Sequence, residues 1–291
     1  MSVDSKLAAP AAASHSDTIL IKPQRGLAAL NLRDLWLFRE LIYFLTWRDI
    51  KVRYKQTLLG AGWAILQPLL QMLVFNLLFG DLAGLPTDGI PRPVFTYAAL
   101  LPWNLFSTAI SDAGRSLVTS RNMITKVYFP RLIVPLSSIL SGVVDFAIAF
   151  LILIVMMLYY GITPTAAIWL LPFYLLLSLV TALGVGLWLA ALNVHYRDVR
   201  YFIPFLTQFW MLATPIAYLA KEVFERLPAE WSWVYALNPM VGVVEGFRNA
   251  LLGSEVYSTG LLWISVLVSL ALLVSGLFYF RSMERTFADT V

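Results

Sequence analysis

The sequence predicts an all-α integral membrane protein in which six transmembrane helices follow an amphipathic helix lying in the membrane interface. Composition is the first sign: 59% of the 291 residues are apolar and 13% charged, with a mean hydropathy of +0.75, whereas soluble proteins carry roughly a quarter charged residues. Length is the second. Crossing the hydrocarbon core takes about 20 mostly apolar residues, and six runs qualify, at 58–80, 94–113, 133–160, 166–192, 201–220 and 258–280. Charge is the third. Of the Lys and Arg residues between the spans, 17 fall on one side of the predicted membrane and 4 on the other. The positive-inside bias therefore places both termini in the cytoplasm.

Residues 1–30 are Ala-, Ser- and Pro-rich and lack an apolar core and cleavage site, so they predict a disordered tail rather than a signal peptide. The stretch "NLRDLWLFRELIYFLT", 31–46, then shows helical periodicity with Asn31 as N-cap candidate. Leu35, Phe38, Leu41, Ile42 and Leu45 share one face, and Arg33, Arg39, Glu40 and Arg48 the other. Such a helix lies in the interface, because that many charges cannot cross the membrane within about 20 residues. Arg48, Lys51, Arg53 and Lys55 follow, hard against the first span. They predict a cytoplasmic anchor among anionic headgroups, where each base contributes about 1 kcal/mol.

Aromatic residues, among them Tyr97, Trp103, Tyr159, Tyr160, Trp169, Tyr218, Trp231 and Trp233, gather near the predicted outer ends of the spans, as amphipathic rings do at headgroup depth. Between the second and third spans, Ser120 can cap a short helix with Arg121, Asn122 and Lys126 on its wet side. Met123, Val127, Tyr128 and Phe129 offer apolar contact, and Arg131 follows Pro130. Spacing alone fits a docking helix and a solvated connector equally. Asp145 stands near the middle of the third span, which makes it either a functional group or one structurally paired with a neighbour. Asn193, Arg197, Asp198 and Arg200 form a compact polar turn before the fifth span, and His195 has no second ligand at metal spacing.

The outer segment 221–257 carries five carboxylates against three bases. Within it "LNPMVGVVEGFRNALLG" reads Asn238 as N-cap, Pro239 at the first helical position and Gly253 as terminator. Glu245 and Arg248, three apart, can pair. This helix is too short to cross, so it predicts a re-entrant hairpin or a surface amphipathic helix.

Several classes of function are excluded or disfavoured. The chain has no cysteine, hence no disulfide framework and no thiolate metal site. It holds no G-x-x-x-x-G-K-[ST], H-E-x-x-H or G-x-S-x-G motif and no D-x-D pair. No catalytic residue and no metal site are expected, and a membrane glycosyl- or acyltransferase would need convergent acids or a surface histidine. The +4 charge is accounted for by topology rather than by nucleic acid.

The segments "RDIKVRYKQTLLGAGWAILQPLL", "FPRLIVP", "LNVHYRDVRYFIPFLTQFWMLATPIAY" and "LNPMVGVVEGFRNALLG", in this order, resemble the membrane (permease) subunit of bacterial polysaccharide ABC exporters, which carry O-antigen, capsule or teichoic acid. The resemblance runs from about Asn31 to Arg281, and the order of four motifs speaks against a drug or lipid exporter of the same superfamily. It implies a homodimer in the inner membrane joined to two copies of a separate ATPase. A lipid-linked polysaccharide would move outward through it, with ATP and Mg bound by the partner subunit and no cofactor on this chain. It also implies that 119–129 is the ATPase-coupling region and that 221–253 holds a pair of outer re-entrant helices. Arg197 and Asp198 would join the four bases at the cytoplasmic gate, and Tyr97, Trp103, Phe209 and Tyr218 are its candidates for channel-lining aromatics.

Overall fold

The computed structural model describes residues 32–55, 60–226, 228–254, 259–284 and 287, without the side chains of 32–34, 229, 230, 232 and 259. The expected tail at 1–30 and the Asn31 cap lie outside these residues. Twelve α-helices, a π turn and a 3-10 turn make up the secondary structure, with no strand among the described residues.

Helices α1 (Leu32–Leu37) and α2 (Arg39–Tyr54) cover the stretch expected to form one amphipathic helix, broken at Phe38 and extended past residue 46. Their apolar stripe lies as the periodicity predicts. Leu45 is buried, and Leu35, Phe38, Leu41 and Ile42 pack against a core of Ile124, Phe129, Ile133 and Leu187. Arg39, Glu40 and Arg48 are exposed. The first span is α3 (Gly62–Phe75), which passes into a π turn over Asn76–Leu82. Arg92 donates to the carbonyls of Phe79 and Leu85 and so ties the end of this turn to the start of the next helix.

Helix α4 (Arg92–Thr119) is the hub, buried along most of its length and packed against α3, α6 (Ile133–Tyr159) and α7 (Leu171–His195). A 3-10 turn at Ala166–Leu170, capped by the Thr165 hydroxyl, leads into α7. Helix α12 (Thr259–Met283) lies along α7. Small residues permit their approach, since a Cβ on Gly184 would stand 2.6 Å from the Leu272 backbone. A hydrogen bond of 2.7 Å between Thr181 Oγ1 and Ser269 Oγ and the stacking of Trp188 on Tyr279, centroids 4.1 Å apart, hold the same seam.

Among the described residues, four segments are long and apolar enough to cross a membrane: Gly62–Leu82, Ile133–Tyr159, Ala166–His195 and Gly260–Met283. These match the first, third, fourth and sixth predicted spans. Helix α4, with 28 residues, is about 42 Å long at the usual rise, but Asp112 and Arg115 lie in its last third. The fifth expectation needs correction: α8 (Val199–Leu212) stops after 14 residues, about 21 Å, so 201–220 is not one continuous helix. Pro215 stops the helix, because it has no N–H to donate and disfavours the helical conformation at Thr214, and Asn238 ties down the end. Its Nδ2 donates to the Ala213 carbonyl at 3.0 Å and to Thr214 Oγ1 at 3.2 Å, while its Oδ1 accepts from Trp210 Nε1 at 2.8 Å and from Met240 N. One side chain thus holds the end of α8 and caps α11.

Beyond the break come α9 (Ala220–Arg226), α10 (Ala229–Ala236) and α11 (Pro239–Leu252). Helix α11 begins and ends as its sequence signals predict, with Asn238 as N-cap and Gly253 in the left-handed conformation at φ 70°. It is not a surface helix, because twelve of its residues are buried, packed against α4, α7 and α12.

Candidate functional site

The last turn of α2 is where two expectations meet. Arg53 appears in the sequence as one of four anchoring bases, and Asp145 as an intramembrane acid with an unnamed partner. The fold brings them together. Arg53 Nη1 donates to Asp145 Oδ2, and Nη2 donates to Asp112 Oδ2 at 2.5 Å and to Ser141 Oγ at 3.1 Å. The Tyr54 hydroxyl donates to the second oxygen of Asp145. Arg53 is therefore a clamp from the interface helix onto α4 and α6, not a headgroup contact. Burial works against its charge, but the carboxylates of Asp112 and Asp145 more than offset that and raise its pKa. Burial, followed by the bond to Asp145, pushes the Tyr54 phenol up. Lys51 lies over the Trp47 ring at 5.3 Å and Arg48 pairs with Asp49 at 2.8 Å. These two and Lys55 face outward.

Above the clamp, α3 diverges from α4 and α6 and leaves a cleft of about 330 Å³. Asp112 and Asp145 form its floor, Gln67 and Trp63 line the α3 wall, and Asn104 and Thr108 the α4 wall. The two helices meet again where Asn104 Nδ2 donates to Gln71 Oε1 at 2.9 Å and Thr96 Oγ1 to Asn76 Oδ1 at 2.8 Å. Asp112, Asn104, Thr108 and Gln67 are functional candidates that the reading of motifs missed. A signal was present, because Asn104, Thr108 and Asp112 recur every four residues and so share one face of a helix.

The predicted coupling residues divide. Helix α5 (Arg121–Lys126) leaves Arg121, Asn122 and Lys126 exposed, with Tyr128 exposed just beyond it. Phe129 does not join that surface. It is buried with Ile124 against Ile133 and Leu187, since the chain turns inward at Pro130. Arg131 is drawn to the last helix, where it donates to the Glu284 carbonyl.

The channel aromatics also divide. Tyr97 and Trp103 lie on α4 and are 0% and 2% exposed, so they face the interior of the chain, not a lumen or the headgroup zone. Encirclement of α4 by α3, α6, α7 and α11 is the reason. The Tyr97 hydroxyl satisfies itself on the Ala149 carbonyl at 3.2 Å. Phe209 on α8 is exposed, together with Tyr201, Phe202, Phe205 and Leu212. Tyr218 is half-buried and donates to the Leu212 carbonyl at 3.0 Å. Arg197 and Asp198 are exposed in the turn before α8.

Glu245 and Arg248 form the ion pair that their spacing predicts, deep inside the fold. The Arg248 guanidinium also donates to the Tyr218 carbonyl and stacks on Phe95 at 4.1 Å. The pair joins α11 to the broken segment after α8 and to α4. No group of three metal-ligating side chains occurs among the described residues.

The profile of the ABC-2 type transporter family matches residues 40–252. The O-antigen export system permease protein RfbA of Myxococcus xanthus is 31% identical, over 89% of this chain and 98% of that protein. A permease of the same name from Klebsiella pneumoniae is 26% identical over 86% of this chain and 94% of its own length. The polysialic acid transport protein KpsM of Escherichia coli is 25% identical over 82% and 91%.

Proposed function

The chain belongs to the ABC-2 type transporter membrane family, and from that premise we propose that it is the permease subunit of an ATP-driven exporter carrying a lipid-linked polysaccharide outward across the inner membrane. The observation that carries this reading is the near end-to-end match to permeases named for O-antigen export, with polysialic acid transport proteins beside them. A chain with no phosphate-binding loop in its sequence draws its energy from a separate ATPase, which supplies the ATP and Mg sites.

The pathway forms between two copies of the chain, with both termini cytoplasmic and six membrane passages, the fifth made by α8 and the broken segment after it. The exposed aromatic face of α8 and the thinly covered α3 support this arrangement. Each leaves a row of large apolar side chains, such as Leu70, Leu73, Phe205 and Phe209, outside the subunit's own core. Helices α9, α10 and α11 make up the re-entrant outer segment. Helix α5 seats on the ATPase, where its exposed bases suit an acidic groove, and nucleotide-driven closure of the ATPase moves it as a rigid body. Polysaccharide presents hydroxyls and apolar ring faces, so many weak contacts let it slide where a few strong ones would stall it.

Deleting the gene in a cell that makes its polymer tests this reading. Surface polysaccharide is expected to disappear while lipid-linked glycan accumulates at the inner leaflet, with both reversed on re-expression. Unchanged surface polymer would sink the proposal.

A further inference from the structure

The cleft between α3, α4 and α6 has unmet hydrogen-bonding capacity. Asn104 and Asp145 are committed to neighbours through Nδ2 and through both oxygens. By contrast Asp112 Oδ1, Thr108 Oγ1 and the Gln67 amide have no partner among the described residues. Thr108 and Gln67 lie within helices read as spans, where hydrocarbon can satisfy none of these groups. Gln67 is exposed and Thr108 and Asp112 are half-buried, so all three are open to a polar occupant of the cleft.

Charge narrows the choice. Arg53 is the one cation among the cleft-lining residues, and it is already shared between two carboxylates. The wall therefore carries a net negative charge, which disfavours a phosphate-bearing headgroup. A bare metal ion is disfavoured too, since the guanidinium already sits between the two acids. An uncharged polyhydroxyl compound fits all three unmet groups. Its hydroxyls donate to the carboxylate, which keeps spare acceptor positions when held by a single donor, and exchange bonds with an alcohol and an amide. Trp63, 50% exposed at the rim, supplies a flat apolar ring for the C–H face of a pyranose. The volume of about 330 Å³ is at the lower end of small-ligand sites, roughly 300–1,000 Å³, and suits one or two sugar rings.

We propose that this cleft is a binding subsite for an uncharged sugar unit of the exported glycan, held by Asp112, Thr108 and Gln67 and stacked on Trp63. The assignment rests on the polysaccharide-permease reading and adds a place and a contact set within this chain. Arg53 acts there as a positioning residue, fixing Asp112 and Asp145 without touching sugar.

The test uses the intact exporter with its ATPase, in cells that make the polymer. A photoreactive phenylalanine replaces Trp63 or Ala64 in the cleft, or Leu151 on the exposed face of α6 as control, and adducts are probed with polymer-specific antibody. Glycan-bearing adducts are expected at a cleft position and not at Leu151, falling at least fivefold when Gln67→Leu and Thr108→Val are added. In the otherwise native chain the same double substitution is expected to slow export severalfold, whereas Thr108→Ser retains it. Adducts bearing lipid without glycan, or an unchanged export rate in the double variant, would overturn the subsite while leaving the exporter reading standing. Surface polymer that persists without the chain would overturn the exporter reading itself.

Discussion

Arg248 is 0% exposed, and its neighbour Glu245 is 3% exposed. Two charges at that depth are tolerated because each neutralises the other and because the Phe95 ring and the Tyr218 carbonyl also engage the guanidinium. Removing one partner strands the other, so Arg248→Met alone is expected to cost about 3–5 kcal/mol. Replacing both, Arg248→Met with Glu245→Leu, is expected to recover most of that loss, because well-packed apolar side chains often substitute for a buried pair without penalty. Thermal unfolding of the purified protein in detergent decides it: a double variant no more stable than the single one means that the site depends on Arg248 packing rather than on charge balance. This pairing was legible in the sequence from the three-residue spacing. The partners of Arg53 were not, because Asp112 and Asp145 are 59 and 92 positions away along the chain and only the crossing of α2 over α4 and α6 brings them within reach.

At the scale of elements, α5 shows how a short amphipathic helix divides its work. Ile124 and the following Phe129 fix it to the core, while Arg121, Asn122 and Lys126 stay in water. Its bases have no side-chain hydrogen bond or ion pair among the described residues, so charge reversal by Arg121→Glu with Lys126→Glu is expected to leave insertion and subunit stability intact. The assembled exporter should then hydrolyse ATP without exporting polymer, or lose its ATPase altogether. Normal export from the variant would remove α5 from the coupling role. The end of α8 shows the opposite relation between sequence and structure. Periodicity and hydropathy carry a span through residue 220, yet the helix ends at Leu212, where Asn238 takes hold of the Ala213 carbonyl and Thr214. Pro215 is the local mark of that stop, since it has no N–H to continue the ladder and disfavours the helical conformation at Thr214; the reach of Asn238 from 25 residues downstream leaves none.

For the molecule as a whole, the distribution of bases predicts which surfaces face the cytoplasm, and the absence of cysteine makes that prediction simple to check. A single cysteine at Lys126 is expected to react with a membrane-impermeant thiol reagent only after the cells are opened. One at Trp231, exposed on α10, is expected to react in intact cells whose outer membrane has been permeabilised. The reverse pattern would invert the topology and with it the direction of transport. Chain-wide, the sequence by itself determined the membrane class, the interface helix, four apolar spans and both ends of α11, because hydropathy, periodicity and caps are written in neighbouring residues. Only the tertiary structure decided that Tyr97, Trp103 and Phe129 are core, that Asn238 joins the end of α8 to α11, and that Arg53 closes the floor of a polar cleft. Those outcomes depend on which helix surrounds which. Burial and hydrogen-bond partnership are properties of the packed assembly of helices, to which residues far apart in the chain contribute together.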